Sequence, residues 1–138
     1  VALVGWSNGG STVLWTLAPE HAAELPALKA AMAFYPGCRP IAERADWQPS
    51  QPLTILIGAA DDWTPAEPCR NLATRPGVGL IEYPGAYHDF DAPSSRLRVV
   101  RGLSRTGSGT GEAHTGTDAQ ARAAAIDEVS KRLAQGFR

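Results

Sequence analysis

The sequence reads as an α/β protein with about four parallel strands flanked by helices, on three grounds. Four short apolar runs lack the polar alternation of a half-exposed strand, so each reads as buried on both faces. Each run ends at glycine or Pro-Gly. The segments between them are long enough to hold crossover helices, whereas antiparallel hairpins would need short turns and one polar face per strand. The 138 residues, 43% apolar and 20% charged, are balanced as in one globular domain.

Val1-Ala2-Leu3-Val4-Gly5 is a short buried strand closed by glycine. Val13, Leu14 and Leu17 recur at helical spacing between Ser11 and Leu17, with Pro19 beyond to end the helix. Ala30 to Tyr35 is a second strand, punctuated by Pro36-Gly37, and Leu53 to Ile57 a third, punctuated by Gly58. Ala66 to Ala73 suits a helix, because Pro65 and Pro68 fit its first turn and Pro76 its end. Gly79 to Tyr83 makes the fourth strand, closed by Pro84-Gly85. Gln48 to Pro52 and the Gly/Ser/Thr-rich stretch Thr106 to Thr117 read as loops, the second long enough to be mobile. Thr117 and Gln120 then fit a capping box, after which Ile126, Val129, Leu133 and Phe137 define the apolar face of a terminal helix covering the sheet. The chain, residues 1–138, reads as one partial domain. It opens on Val1 inside an apolar strand with no Met, so further N-terminal strands are expected upstream.

Charge narrows the possible partners. Thirteen basic against 14 acidic side chains leave a net charge of −1, too little to hold nucleic acid or an anionic membrane. No apolar run approaches the roughly 18 residues needed to span a bilayer. Arg96, Arg98, Arg101 and Arg105 cluster before the Gly/Thr loop, but that loop lacks the Gly-Lys-Ser/Thr ending of a phosphate cradle, so they read as a solvated face. Cys38 and Cys69 have no CxxC spacing and are expected to be small buried thiols, with a disulfide as the alternative. Reduced thiols suit the cytoplasm; a disulfide suits the periplasm or the exterior.

One motif carries chemistry. Gly5-Trp6-Ser7-Asn8-Gly9 is GxSxG set between a buried strand and a helix, the context of a nucleophile elbow. With 14 glycines in the chain, the pattern would arise by chance roughly 0.08 times before that context is demanded. A sharp turn strains the serine backbone and crowds its neighbours, so Cβ atoms at both Gly5 and Gly9 are expected to collide. The bland alternative has Ser7 merely capping the helix. A serine nucleophile needs a histidine base and an acid to orient it. Asp61 follows the third strand and His88 the fourth, the chain order Ser, Asp, His that such a strand-turn-helix nucleophile takes. Asp62 is the rival acid, more naturally a loop or helix-start carboxylate, and Asp89 and Asp91 adjoin the histidine too closely in sequence to aim at its ring. His21 reads as a surface residue and His114 as a loop residue with no strand to fix it. No two histidines have metal-ligand spacing, so neither a metal nor another cofactor is expected. The backbone N–H of Asn8 would donate to an oxyanion. Trp6, Tyr35, Trp63 and Tyr87 adjoin these positions and are candidate walls of a substrate pocket, with core packing as the alternative.

Gly5-Trp6-Ser7-Asn8-Gly9-Gly10, Phe34-Tyr35-Pro36-Gly37-Cys38, Gly58 to Pro65, and Tyr83-Pro84-Gly85-Ala86-Tyr87-His88-Asp89-Phe90 together resemble the dienelactone hydrolase family. The resemblance covers nearly the whole chain and corresponds to the C-terminal half or more of that family's α/β-hydrolase fold. It implies Ser7 as nucleophile, Asp61 as acid and His88 as base, cleaving an ester, lactone or related acyl bond of a small molecule. Well-known members carry cysteine where Ser7 stands, so a dienelactone is not implied as the substrate. The second oxyanion donor would lie in the missing N-terminal half, which implies poor activity for this fragment alone. A hydrolase-like chain that binds without turnover is the alternative.

Overall fold

A computed structural model describes all of residues 1–138. Its centre is a sheet of four parallel strands, β1 (Ala2–Trp6), β2 (Ala30–Phe34), β3 (Leu53–Gly58) and β4 (Val78–Tyr83), arranged in that order. Helix α1 (Asn8–Thr16) and a 3₁₀ turn (Pro19–Glu24) connect β1 to β2. Short α2 (Arg39–Ala42) lies between β2 and β3, and α3 (Ala66–Ala73) between β3 and β4. Two three-residue strands, β5 (Arg98–Val100) and β6 (Ala113–Thr115), form a separate antiparallel ribbon, and α4 (Ala119–Gly136) ends the chain. The fold class is α/β, as the unalternating runs indicate. Every residue of β3 is buried, because β2 and β4 flank it and the apolar side chains on both faces are covered. β1 pairs on one side only, with β2. No helix is long and apolar enough to cross a membrane.

Parallel pairing has a direct consequence for chemistry. Four strands running the same way end at one edge, so the residues after β1, β2, β3 and β4 meet there. Ser7, Tyr35, Asp61 and His88 all follow those ends.

The structure corrects four expectations. Cys38 and Cys69 are buried as expected, at 2% and 0% exposure, but they are joined in a disulfide. The chain leaving β2 and the middle of α3 pack with their Cα atoms 5.2 Å apart, a proximity that the 31-residue separation hides. The stretch expected to be all loop contains β6, whose pairing with β5 orders it. Asp118, not Thr117 with Gln120, caps α4, its carboxylate accepting from Ala121 N–H at 2.9 Å, while Thr117 accepts from Ser95 N–H at 2.7 Å. The face of α4 that meets the core is Ala121, Ala125, Val129 and Leu133, whereas Ile126 is 49% and Phe137 59% exposed. Alanines let the helix backbone approach the sheet, so small residues rather than the bulkiest ones mark the seam.

Candidate functional site

The turn after β1 places Ser7 at φ 52° and ψ −115°, a strained backbone for a residue with a Cβ, costing about 1–3 kcal/mol. Two main-chain bonds hold it: Ser7 N–H donates to Phe34 O at 3.0 Å, and Ser11 N–H to Ser7 O at 2.9 Å. The glycines are needed unequally. A Cβ on Gly5 would run into the Gly9 carbonyl and one on Gly10 would stand 2.7 Å from the Phe34 carbonyl, but a Cβ on Gly9 would meet nothing within 4 Å. The expectation that Gly9 is sterically required is therefore overturned; Gly10, tucked under the end of β2, takes that role. Ser7 precedes α1 but makes no side-chain capping bond. Its hydroxyl turns instead to His88, with Oγ 2.9 Å from Nε2.

His88 is 1% exposed, on the loop after β4. Its ring lies between Tyr35 and Trp63, whose ring centroids are 4.6 and 4.7 Å away. Its carbonyl accepts from Gly116 N–H at 3.0 Å, which ties the loop to the ribbon. Nδ1 lies 2.8 Å from Asp61 Oδ2. An ionised carboxylate can only accept, so Nδ1 carries the proton and Nε2 is left to accept from the Ser7 hydroxyl.

Asp61 is 5% exposed, and its other oxygen accepts from Trp63 N–H at 2.9 Å and Thr64 N–H at 2.8 Å. These bonds orient the carboxylate independently of the histidine. Gly58 makes the approach possible: a Cβ there would strike the Ala86 carbonyl, which itself accepts from Ala60 N–H at 3.0 Å. The acid loop and the base loop thus touch backbone to backbone.

The neighbouring carboxylates are engaged elsewhere. Asp62 accepts twice from His114, from its backbone N–H at 2.8 Å and from its Nδ1 at 2.7 Å, so His114 is fixed on β6 after all. Asp89 accepts from the Thr115 hydroxyl at 2.8 Å. Asp91 accepts from Trp6 Nε1 and from the Tyr35 hydroxyl, both at 2.8 Å, joining the residue before Ser7 to the ring beside His88. Burial, reinforced by Asp91, pushes the Tyr35 phenol far above the usual tyrosine range. His21 is exposed in the 3₁₀ turn.

A cleft of about 690 Å³ opens beside Ser7. Trp63 is the one candidate pocket aromatic that lines it. Trp6 stacks on Phe34 at 5.3 Å, Tyr35 is buried against His88 and Phe90, and Tyr87 stacks on His114 at 4.6 Å. Those three serve packing around the histidine loop. The remaining wall includes Trp15, Arg39, Thr64 and Arg105, none of which the motif reasoning singled out for the site. Thr64 could have been suspected, since it stands between Asp61 and Pro65 in the same short loop. Asn8 heads α1, so its N–H is among those without an intrahelical acceptor, and it also borders the cleft. No group of three or more His, Cys, Asp or Glu side chains converges to hold a metal.

The model of the dienelactone hydrolase family matches residues 1–136. Among solved structures, the esterase domain of a Rhodothermus marinus protein is similar at a TM-score of 0.47 and 20% identity, over 63% of this chain and 50% of that one. Esterase PE8 is similar at a TM-score of 0.44 and 23% identity, over 66% of this chain and 43% of that one. The chain spans half or less of the length of these structures. No curated protein matches the sequence.

Proposed function

Because the chain belongs to the dienelactone hydrolase family, we propose that it is a serine hydrolase that cleaves an ester, lactone or related acyl bond of a small molecule. One observation carries the reading: Ser7 Oγ, His88 and Asp61 form a hydrogen-bonded line with steps of 2.9 and 2.8 Å. In that line Ser7 Oγ attacks the acyl carbon while its proton passes to His88 Nε2. Asp61 keeps Nδ1 protonated and offsets the positive charge that the ring gains. The tetrahedral oxyanion faces the Asn8 N–H. Collapse then expels the alcohol oxygen, which takes the proton from Nε2, and leaves an acyl ester on Ser7. Water, deprotonated by the same nitrogen, releases the acid and restores the serine. The cleft admits the substrate past Trp63, and burial of His88 and Asp61 keeps bulk water from competing for their bonds.

The test is hydrolysis of p-nitrophenyl esters by the parent and by Ser7→Ala, each checked for folding by circular dichroism. The expected loss in kcat is about 10⁴-fold or more. A folded Ser7→Ala variant that turned over at the parent rate would reject the proposal.

A further inference from the structure

We infer that Thr64 is a positioning residue for the base, its hydroxyl oxygen serving as a second acceptor for the Nδ1 proton of His88. The inference rests on the reading of Ser7, His88 and Asp61 above and adds a fourth group to it. Thr64 Oγ1 lies 3.1 Å from His88 Nδ1, 3.1 Å from Asp61 Oδ2 and 3.0 Å from the Tyr35 carbonyl oxygen. A hydroxyl has one proton to give and two lone pairs with which to accept. Asp61 already accepts two backbone N–H groups on one oxygen and the imidazole on the other. Tyr35, at φ 35° just past β2, keeps its N–H on Leu56 O, and its carbonyl and Asp61 Oδ2 are the two acceptors within reach of the single Thr64 proton. With the proton on either acceptor, the Thr64 oxygen keeps lone pairs for Nδ1–H, which is shared between Thr64 Oγ1 and Asp61 Oδ2.

That arrangement acts where charge develops. When the Ser7 O–H bond breaks and an Nε2–H bond forms, the ring becomes cationic while Nδ1–H and the Thr64 O–H stay in place. An oxygen dipole already aimed at Nδ1–H stabilises the cation with no reorganisation. The hydroxyl is held for the purpose. The Thr64 backbone N–H is bound to Asp61 Oδ1, and Pro65 follows at the head of α3. The oxygen also fixes ring orientation, because an imidazole that rotated would lose two acceptors rather than one.

The experiment compares Thr64→Val, Thr64→Ser and Ser7→Ala with the parent on a p-nitrophenyl ester across the pH range. Thr64→Val keeps the shape and removes the oxygen; kcat is expected to fall about tenfold, the scale of one hydrogen bond to a charged group. KM should stay within about twofold, since Thr64 borders the cleft but its hydroxyl is engaged by Tyr35 O, Asp61 and His88 and is not free to bond substrate. The acid limb of the pH profile should move to lower pH, and Thr64→Ser should recover most of the loss. If Thr64→Val fails to fold, Thr64→Ala carries the same expectation. A folded Thr64→Val or Thr64→Ala with parental kcat and pH profile, beside an inactive Ser7→Ala, overturns the role of Thr64 and leaves the hydrolase reading standing. An active Ser7→Ala removes the reading on which the inference rests.

Discussion

Tyr35 lies at the end of β2 with its ring against His88 and its hydroxyl on Asp91, and burial holds the phenol neutral well beyond the ordinary range. A folded-state pKa raised above the unfolded value of about 10 means that the stability is fully present below pH 10 and is lost as pH rises above it. Tyr83, buried and pushed up to about 12, acts in the same direction over a narrower window. Urea denaturation between pH 8 and 12 should therefore show a fall in unfolding free energy from about pH 10 upward. In Tyr35→Phe that fall should shrink to the part due to Tyr83. The variant should also lose about 1–3 kcal/mol at neutral pH, because Asp91 is left one donor short. An unchanged alkaline slope would contradict this assignment. Sequence order pointed to Ser7, His88 and the Asp61–Asp62 pair, because the residues after successive parallel strands meet at one edge, and the family resemblance favoured Asp61 of the two. The tasks of Asp62 and Asp91 were not legible. Their partners, His114, Trp6 and Tyr35, lie 52 to 85 residues away along the chain.

The β1–α1 turn separates two glycines that look equivalent in the motif. A Cβ at Gly5 meets the Gly9 carbonyl, whereas one at Gly9, inside α1, points into open space. Gly5→Ala should destabilise the fold by about 2 kcal/mol or more, the range of core overpacking. Gly9→Ala should instead raise stability by up to about 1 kcal/mol, since alanine in a helix restricts the unfolded chain and favours the helix. Thermal melts of both variants decide the point, and equal losses would contradict it. The motif could not reveal that Gly10 rather than Gly9 is sterically required, because the crowding at Gly10 comes from the Phe34 carbonyl on another strand. The face of α4 was missed for a related reason. Hydropathy ranks Ile126 and Phe137 first, but close packing against the core selected Ala121 and Ala125. The β5–β6 ribbon was missed because three residues are too few to establish a period of two.

Across the whole molecule, one covalent link joins the end of β2 to α3. The Cys38–Cys69 bond closes 31 residues of chain that include all of β3 and the acid loop. On the chain-entropy account a loop of that size stabilises the fold by about 3–4 kcal/mol. Reduction, or a paired Cys38→Ser and Cys69→Ser substitution, should lower stability by that order in chemical denaturation, and a loss under about 1 kcal/mol would contradict the estimate. Four unalternating apolar runs were enough to read the parallel sheet, but burial on both faces holds only for the central strands: β3 is wholly buried and β2 nearly so, while β1 and β4 at the edges are mostly half-exposed. The covalent link needed the packed structure, because sequence separation says nothing about distance between Cα atoms. Activation of Ser7 as a nucleophile can be read by intact-mass and peptide mapping after treatment with a fluorophosphonate. The expected result is one adduct, on Ser7, formed by the parent and lost in a folded His88→Ala variant; an unlabelled Ser7 in the folded parent, or equal labelling without the histidine, would contradict it.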